Sequence, residues 1–381
     1  MKILDGVIPY PLDCEVRLGS VFASLLTVLK KDIPDEMLPC NNPDRTTGKP
    51  GDLCTNCGKC RMEKHGKCRM ENSRKRAVYG DFANEYAFVS GQSLLQFDLP
   101  TGVFLSKIGM PLPDIFDDTV DFMLRYAGYQ FSDVNLTDKA RAHCQISASI
   151  DRGVPVLMQY KKNSLWLLVT GYGDNLELYG YDGARMAPHE KMDPPPDSYQ
   201  NDLFCASNWH ENARRVVILG EKCEPTATLA DAIARNVRIM RPIFEKNYYQ
   251  TAADYIRDGR HFKKVANLRG QAERISGFIG VPINGRSITA WFSETLADSG
   301  NPKVKECFSA LAHLCSEMHD ICWVAWHAVG TYKRRPGRYI RLLADPVYRD
   351  MLASVVEQVG KKDREIYECL VNFLGAQEAS Q

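Results

Sequence analysis

Two short apolar runs set close together constrain this chain more than any other feature. They are Gly153-Val154-Pro155-Val156-Leu157-Met158 and Leu165-Trp166-Leu167-Leu168-Val169-Thr170-Gly171-Tyr172, with Tyr181-Asp182-Gly183 following. Each run is brief, rich in Val and Leu, and closed by Gly or a polar turn. The pattern predicts two adjacent buried strands.

The rest of the first 222 residues reads as mixed. A short strand-like start precedes a helix over 16–31, where Val16, Leu18, Val21, Phe22, Leu25, Leu26, Val28 and Leu29 recur at helical spacing. The core resumes at Tyr86-Ala87-Phe88-Val89-Ser90-Gly91. Helices are expected over 116–129 and 141–151, a polar loop over 188–198, and a last strand over Arg215–Gly220. Strands and helices in this order predict an α+β domain over 1–222. Beyond Pro225 no segment reads as a strand. Thr226 or Thr228 can cap a helix running to 244, interrupted at Pro242. Further helices are expected over 247–258, 261–279, 285–298, 302–329, 346–359 and 361–374, so residues 223–381 read as an all-α helical bundle.

With 381 residues and a formal net charge of +1, the chain has room for two domains and no global attraction to nucleic acid or to an anionic membrane. No apolar run approaches the roughly 20 residues that span a bilayer. The opening Met1-Lys2-Ile3-Leu4-Asp5-Gly6 lacks the pattern of an export signal, which predicts a cytoplasmic protein. Thirteen cysteines are then expected to be thiols, metal ligands or core residues rather than disulfides.

Five of those cysteines fall in residues 34–76, an insertion almost free of aliphatic side chains and rich in Pro, Gly, Lys and Arg. Cys54, Cys57, Cys60 and Cys68 give the spacing C-x2-C-x2-C-x7-C, with Cys40 and His65 nearby. A C-x2-C turn lets two thiolates face one ion, and two pairs close a tetrahedral site, so the segment is expected to bind zinc. Bound metal would supply the ordering free energy that an apolar core otherwise provides. The alternative is an iron–sulfur cluster, although a ferredoxin-type run would continue C-x3-C-P. Ten basic residues against four acidic ones over 44–76 offer a surface for a protein partner. A metal-dependent regulatory or nucleic-acid-contacting role is a further alternative. The absence of any aromatic residue over 40–76 argues against base stacking.

In the helix over 302–329, Cys307, Cys315 and Cys322 share one apolar stripe with Phe308, Leu311, Met318 and Ala325, which makes them core thiols. His313, Glu317, Asp320 and His327 project from roughly the opposite face, as a solvated surface rather than a metal site. Trp323, Trp326 and His319 sit at the margin of the stripe. They are the candidates for binding a small-molecule ligand in a cleft between the two domains.

Cys14 precedes the first long helix, where the positive end of the helix dipole would depress a thiol pKa. Cys14 to Leu29, Tyr86 to Ser93, Arg152 to Val156, Val169-Thr170-Gly171-Tyr172, Val217 to Lys222 and Glu317 to Trp323 together resemble a bacterial family. It is related to the N-terminal domain of butirosin biosynthesis protein H and to papain-like double-glycine cysteine peptidases, with a helical C-terminal domain. The resemblance implies a papain-like cysteine-peptidase-type domain and, in active relatives, acyl transfer through a cysteine thioester or peptide cleavage. It also implies a histidine where this chain has Leu165, which cannot accept a proton. The expectation is therefore a degenerate domain that binds a peptide, acyl or small-molecule ligand. The alternative is a working acyltransferase or amidase using Cys14, a relocated base at His143 or His210, and Asp182 as the orienting acid. Cys144 and Cys205 are expected in the core.

Overall fold

The computed structural model describes residues 1–4, 21–22, 25–26, 29, 84–94, 118–161, 166–182, 204–297, 300–330 and 337–378. It is a mixed helical and antiparallel-sheet structure that divides into two compact units.

The first unit is built on a seven-stranded antiparallel sheet: β1 (Lys2–Ile3), β2 (Tyr129–Asp133), β3 (Val156–Tyr160), β4 (Trp166–Tyr172), β5 (Leu178–Asp182), β6 (Phe204–Ala206) and β7 (Ala213–Lys222). The order is β2-β7-β3-β4-β5-β6, and β1 pairs with the end of β4 through Lys2↔Tyr172 and Ile3↔Gly171. The expected strand pair is present and central, in register Val156↔Val169 through Gln159↔Trp166. Helix α2 (Lys139–Asp151) covers one sheet face. Its Ala142, Ile146 and Ile150 form one core cluster with Val156, Met158, Leu167, Val169, Leu178 and Phe204. On the other face Leu157, Leu168 and Val217 are equally buried. Burial on both faces is why these strands read as continuous apolar runs rather than as alternation. Gly180 is required where β5 meets β4, since a Cβ there would lie 2.1 Å from the Leu168 carbonyl oxygen.

The second unit is helical and draws on residues 87–128 as well as on 224–381. Helical turns at 84–89 and helix α1 (Thr119–Ala127) fall between β1 and β2 in the chain; the four-residue α3 (Trp209–Asn212) lies in the sheet unit. Then come α4 (Leu229–Glu245), α5 (Tyr248–Arg257), a 3-10 turn (Gly259–Phe262), α6 (Val265–Ala297), α7 (Pro302–Val329), α8 (Gly337–Leu342) and α9 (Pro346–Glu378).

Of the two candidate caps Thr228 is the one used. Its hydroxyl accepts from the Asp231 amide at 3.3 Å while the Asp231 carboxylate accepts from the Thr228 amide at 2.8 Å. At α7, Asn301 Oδ1 accepts from the amides of Lys303 and Val304, with Pro302 in the first turn, where its missing N–H costs nothing.

Three expected breaks are absent. Helix α4 runs through Pro242 to Glu245, α6 spans both 261–279 and 285–298 from Val265 onward, and α9 spans both 346–359 and 361–374. In α6, Ile275, Phe278, Ile279, Ile283 and Ala290 are all in the core, and burial of that stripe outweighs the roughly 3 kcal/mol disfavouring an interior proline. In α9 Gly360 is a packing glycine: a Cβ would stand 2.6 Å from the Tyr249 side chain.

Residues 87–128 join the helices through Phe88 and Leu94, which enter the helical core, and through two buried polar side chains of α4. Arg235 donates to Asp118 at 2.8 Å and to the Thr119 hydroxyl at 2.7 Å while its guanidinium lies 5.2 Å from the Phe122 ring centroid. Asn236 donates to the Phe88 carbonyl at 2.9 Å.

Candidate functional site

The first candidate base, His143, is fixed by α2. Asp138 caps that helix by accepting from the Arg141 amide at 3.0 Å, and the helix turns His143 toward the sheet, where it is 8% exposed. Its Nε2 lies 3.4 Å from the Glu177 carbonyl oxygen and its Nδ1 lies 3.3 Å from Ser147 Oγ. A carbonyl only accepts, so Nε2 carries the hydrogen and Nδ1 accepts from the serine. Burial holds the imidazole pKa below its ordinary value, against the opposing pull of the Glu177 carbonyl. The Tyr172 ring packs edge-on against it at 5.7 Å, and the Tyr172 hydroxyl donates to Asp151, which also pairs with Lys2 at 2.8 Å. His143 is thus a neutral histidine with both nitrogens engaged.

His210 is different. It follows Trp209, a fully buried side chain whose indole N–H donates to the Leu176 carbonyl at 2.8 Å, and the two rings meet at right angles 5.4 Å apart. The His210 Nε2 atom is buried and has no hydrogen-bond partner among the described residues. A buried nitrogen left without a partner costs on the order of 1–3 kcal/mol. Asp182 ends β5 opposite Leu167. Cys144 is exposed and Cys205 half-buried, so neither is the core thiol that was expected; Cys144 sits on the solvent side of α2 and Cys205 on β6 at the end of the sheet.

Cys14, Leu165 and the cysteines Cys54, Cys57, Cys60 and Cys68 lie outside the described residues. Among the described residues no group of three or more His, Cys, Asp or Glu side chains is gathered to hold a metal ion, and no helix is long and apolar enough to cross a membrane.

In the helical unit the aromatic residues of α7 are committed to packing. The Trp323 indole donates to His319 Nε2 at 2.6 Å, so His319 carries its hydrogen on Nδ1, facing Asp320 Oδ1 at 3.3 Å. The Trp326 indole donates to Ser276 of α6 at 2.8 Å, and the two indoles lie 4.8 Å apart. Both N–H groups are satisfied within the bundle, which is how amphipathic rings seal a helix contact. On the polar face, Glu317 pairs with His313 at 3.3 Å and with Lys362 of α9 at 2.9 Å. Cys307, Cys315 and Cys322 are buried in the core stripe.

One cluster lies outside every sequence expectation. Arg286 and Asp363 form an ion pair at 2.5 Å with both side chains 0% exposed. Tyr249 donates to Asp363 at 2.6 Å, and Arg286 donates to the Ser93 carbonyl at 2.7 Å. Burial, reinforced by the Asp363 charge, pushes the Tyr249 hydroxyl well above its ordinary pKa. The signal was present in the sequence: Arg286 falls among the apolar positions of α6, between Ile283 and Ile288.

Compared with protein-family models, with curated proteins and with solved structures, the chain matches none.

Proposed function

We propose that this is a catalytically degenerate papain-like protein whose first domain binds a peptide, acyl or small-molecule ligand. In this reading Cys54, Cys57, Cys60 and Cys68 hold zinc in a basic knuckle that serves as a surface for a protein partner. The observation that carries the reading is the state of His143. A general base needs a free nitrogen, and both nitrogens of this imidazole are engaged while burial lowers its pKa from the ordinary value. Leu165 stands where the resemblance places the usual histidine, so two of the three positions for a base are closed.

The orphan Nε2 of His210 favours a second reading. There His210 takes the Cys14 proton, the thiolate attacks an acyl carbon to form a thioester, and the imidazolium returns the proton to the leaving group. Asp182 would orient the imidazole.

Alkylation separates the two. Iodoacetamide labelling of Cys14, mapped by mass spectrometry from pH 5 to 9, follows an ordinary thiol midpoint near about 8.5 if the domain is degenerate, and His210→Ala leaves the rate unchanged. A depressed midpoint together with a tenfold slower reaction in His210→Ala would overturn that reading in favour of the second. Elemental analysis with an absorption spectrum tests the knuckle: zinc is colourless and an iron–sulfur cluster is not.

A further inference from the structure

Helices α7 and α9 run antiparallel in the helical unit, and the start of one is tied to the end of the other by Lys303, whose ammonium donates to the Ala376 carbonyl at 3.2 Å. Just inside that tie, Cys307 Sγ and Cys369 Sγ face each other at 3.9 Å, and Cys369 Sγ also lies 3.7 Å from the Cys307 carbonyl oxygen. Cys315 and Cys322, deeper in the same bundle, are fully buried and have thiols pushed far up by burial. The facing pair is at the accessible end, with Cys307 8% exposed and Cys369 half-buried.

We propose that Cys307 and Cys369 form a thiol–disulfide redox couple that locks α7 to α9 when it meets a low-molecular-weight disulfide. The sulfurs must approach by about 1.9 Å to reach bonding distance. The two thiols are unequal. Hydrogen bonding from Cys307 lowers the Cys369 pKa, while hydrogen bonding to Cys369 and burial raise that of Cys307. Cys369 is also the more exposed, so it is the first attacker. Its thiolate attacks one sulfur of the small disulfide, whose S–S bond breaks and releases one thiol. Cys307 then gives up its proton, and its thiolate attacks Cys369 Sγ and expels the second thiol. Two electrons and two protons pass from the cysteines to the small disulfide. The new bond closes a 62-residue separation across α7, α8 and α9.

The test uses the full chain with excess glutathione disulfide at pH 8, followed by alkylation and peptide mapping. The expected product is a Cys307–Cys369 cross-linked peptide, two hydrogens lighter, reversed by dithiothreitol. An unfolding temperature roughly 5 °C higher accompanies it. In Cys307→Ser, Cys369 should instead stop at the glutathione adduct. The proposal is overturned if both cysteines of the wild-type chain remain alkylatable, if Cys369 stays glutathionylated beside a free Cys307, or if either pairs with another cysteine.

Discussion

The two units bury polar groups in opposite ways. Among the described side chains of the sheet unit, the buried polar ones are neutral: His143, Ser149, Thr170 and Asn84. The helical unit buries Arg235, Arg286, Arg349 and Asp363. The difference reflects how each architecture sets its register. A strand shifted by one residue turns its whole inward set outward, so apolar patterning alone specifies the sheet. Apolar stripes on long helices can slide past one another at little cost, and a directional ion pair such as Arg286–Asp363 removes that freedom.

That contrast can be broken experimentally, beginning where the effect is largest. Asp363→Ala leaves Arg286 charged and Tyr249 unpartnered in a dry core, and should cost about 3–5 kcal/mol in denaturant unfolding, with Arg286→Met as a second change recovering much of it. A cost under about 1 kcal/mol would mean that water reaches the pair. The sheet unit should answer most strongly to backbone crowding. Gly180→Ala drives a Cβ onto the Leu168 carbonyl and is expected to lose about 2–3 kcal/mol, more than Gly360→Ala, whose obstacle is the Tyr249 side chain. Thr228→Ala removes one capping box and should cost about 1 kcal/mol, seen as faster amide exchange over the first turn of α4.

The smallest effect is a pH dependence confined to the sheet unit. His143 has a folded pKa below its ordinary 6.5, so the unfolded chain binds the proton first as pH falls. Its contribution is full above about pH 6.5 and is lost as pH drops from there toward the folded pKa. His143→Gln should flatten the fall in unfolding temperature between pH 7 and 5; an unchanged slope would show that the imidazole titrates normally.

Much of the architecture was legible because it rests on local pattern. The β3–β4 pair, the span of α7, and the lack of strands beyond Pro225 among the described residues all follow from spacing and end signals. Gly360 and Pro242 misled for a physical reason: propensity records what a residue does in isolation, and here packing against Tyr249 and burial of Ile239, Met240 and Ile243 decide. β2 and β6 were missed because Tyr-Gln-Phe-Ser-Asp and Phe-Cys-Ala are too short and mixed to show a period. The two candidate bases could not be ranked from sequence, since spacing says nothing about whether an imidazole nitrogen already has a partner. The Ser147 and Glu177 contacts of His143, and the His210 nitrogen that has no partner among the described residues, separate them.

The bond from Arg286 to the Ser93 carbonyl crosses 193 positions of chain. An emerging polypeptide would therefore release the loop bearing Ser93 long before α6 exists, and α9, which brings Asp363, is made later still. Until then the apolar turn around Phe88 has no permanent neighbour from those helices, so the helical unit should assemble late and slowly for an α structure of its size. A fragment begun at residue 224 would inherit all the long helices yet lack the oxygen that one end of its central guanidinium needs.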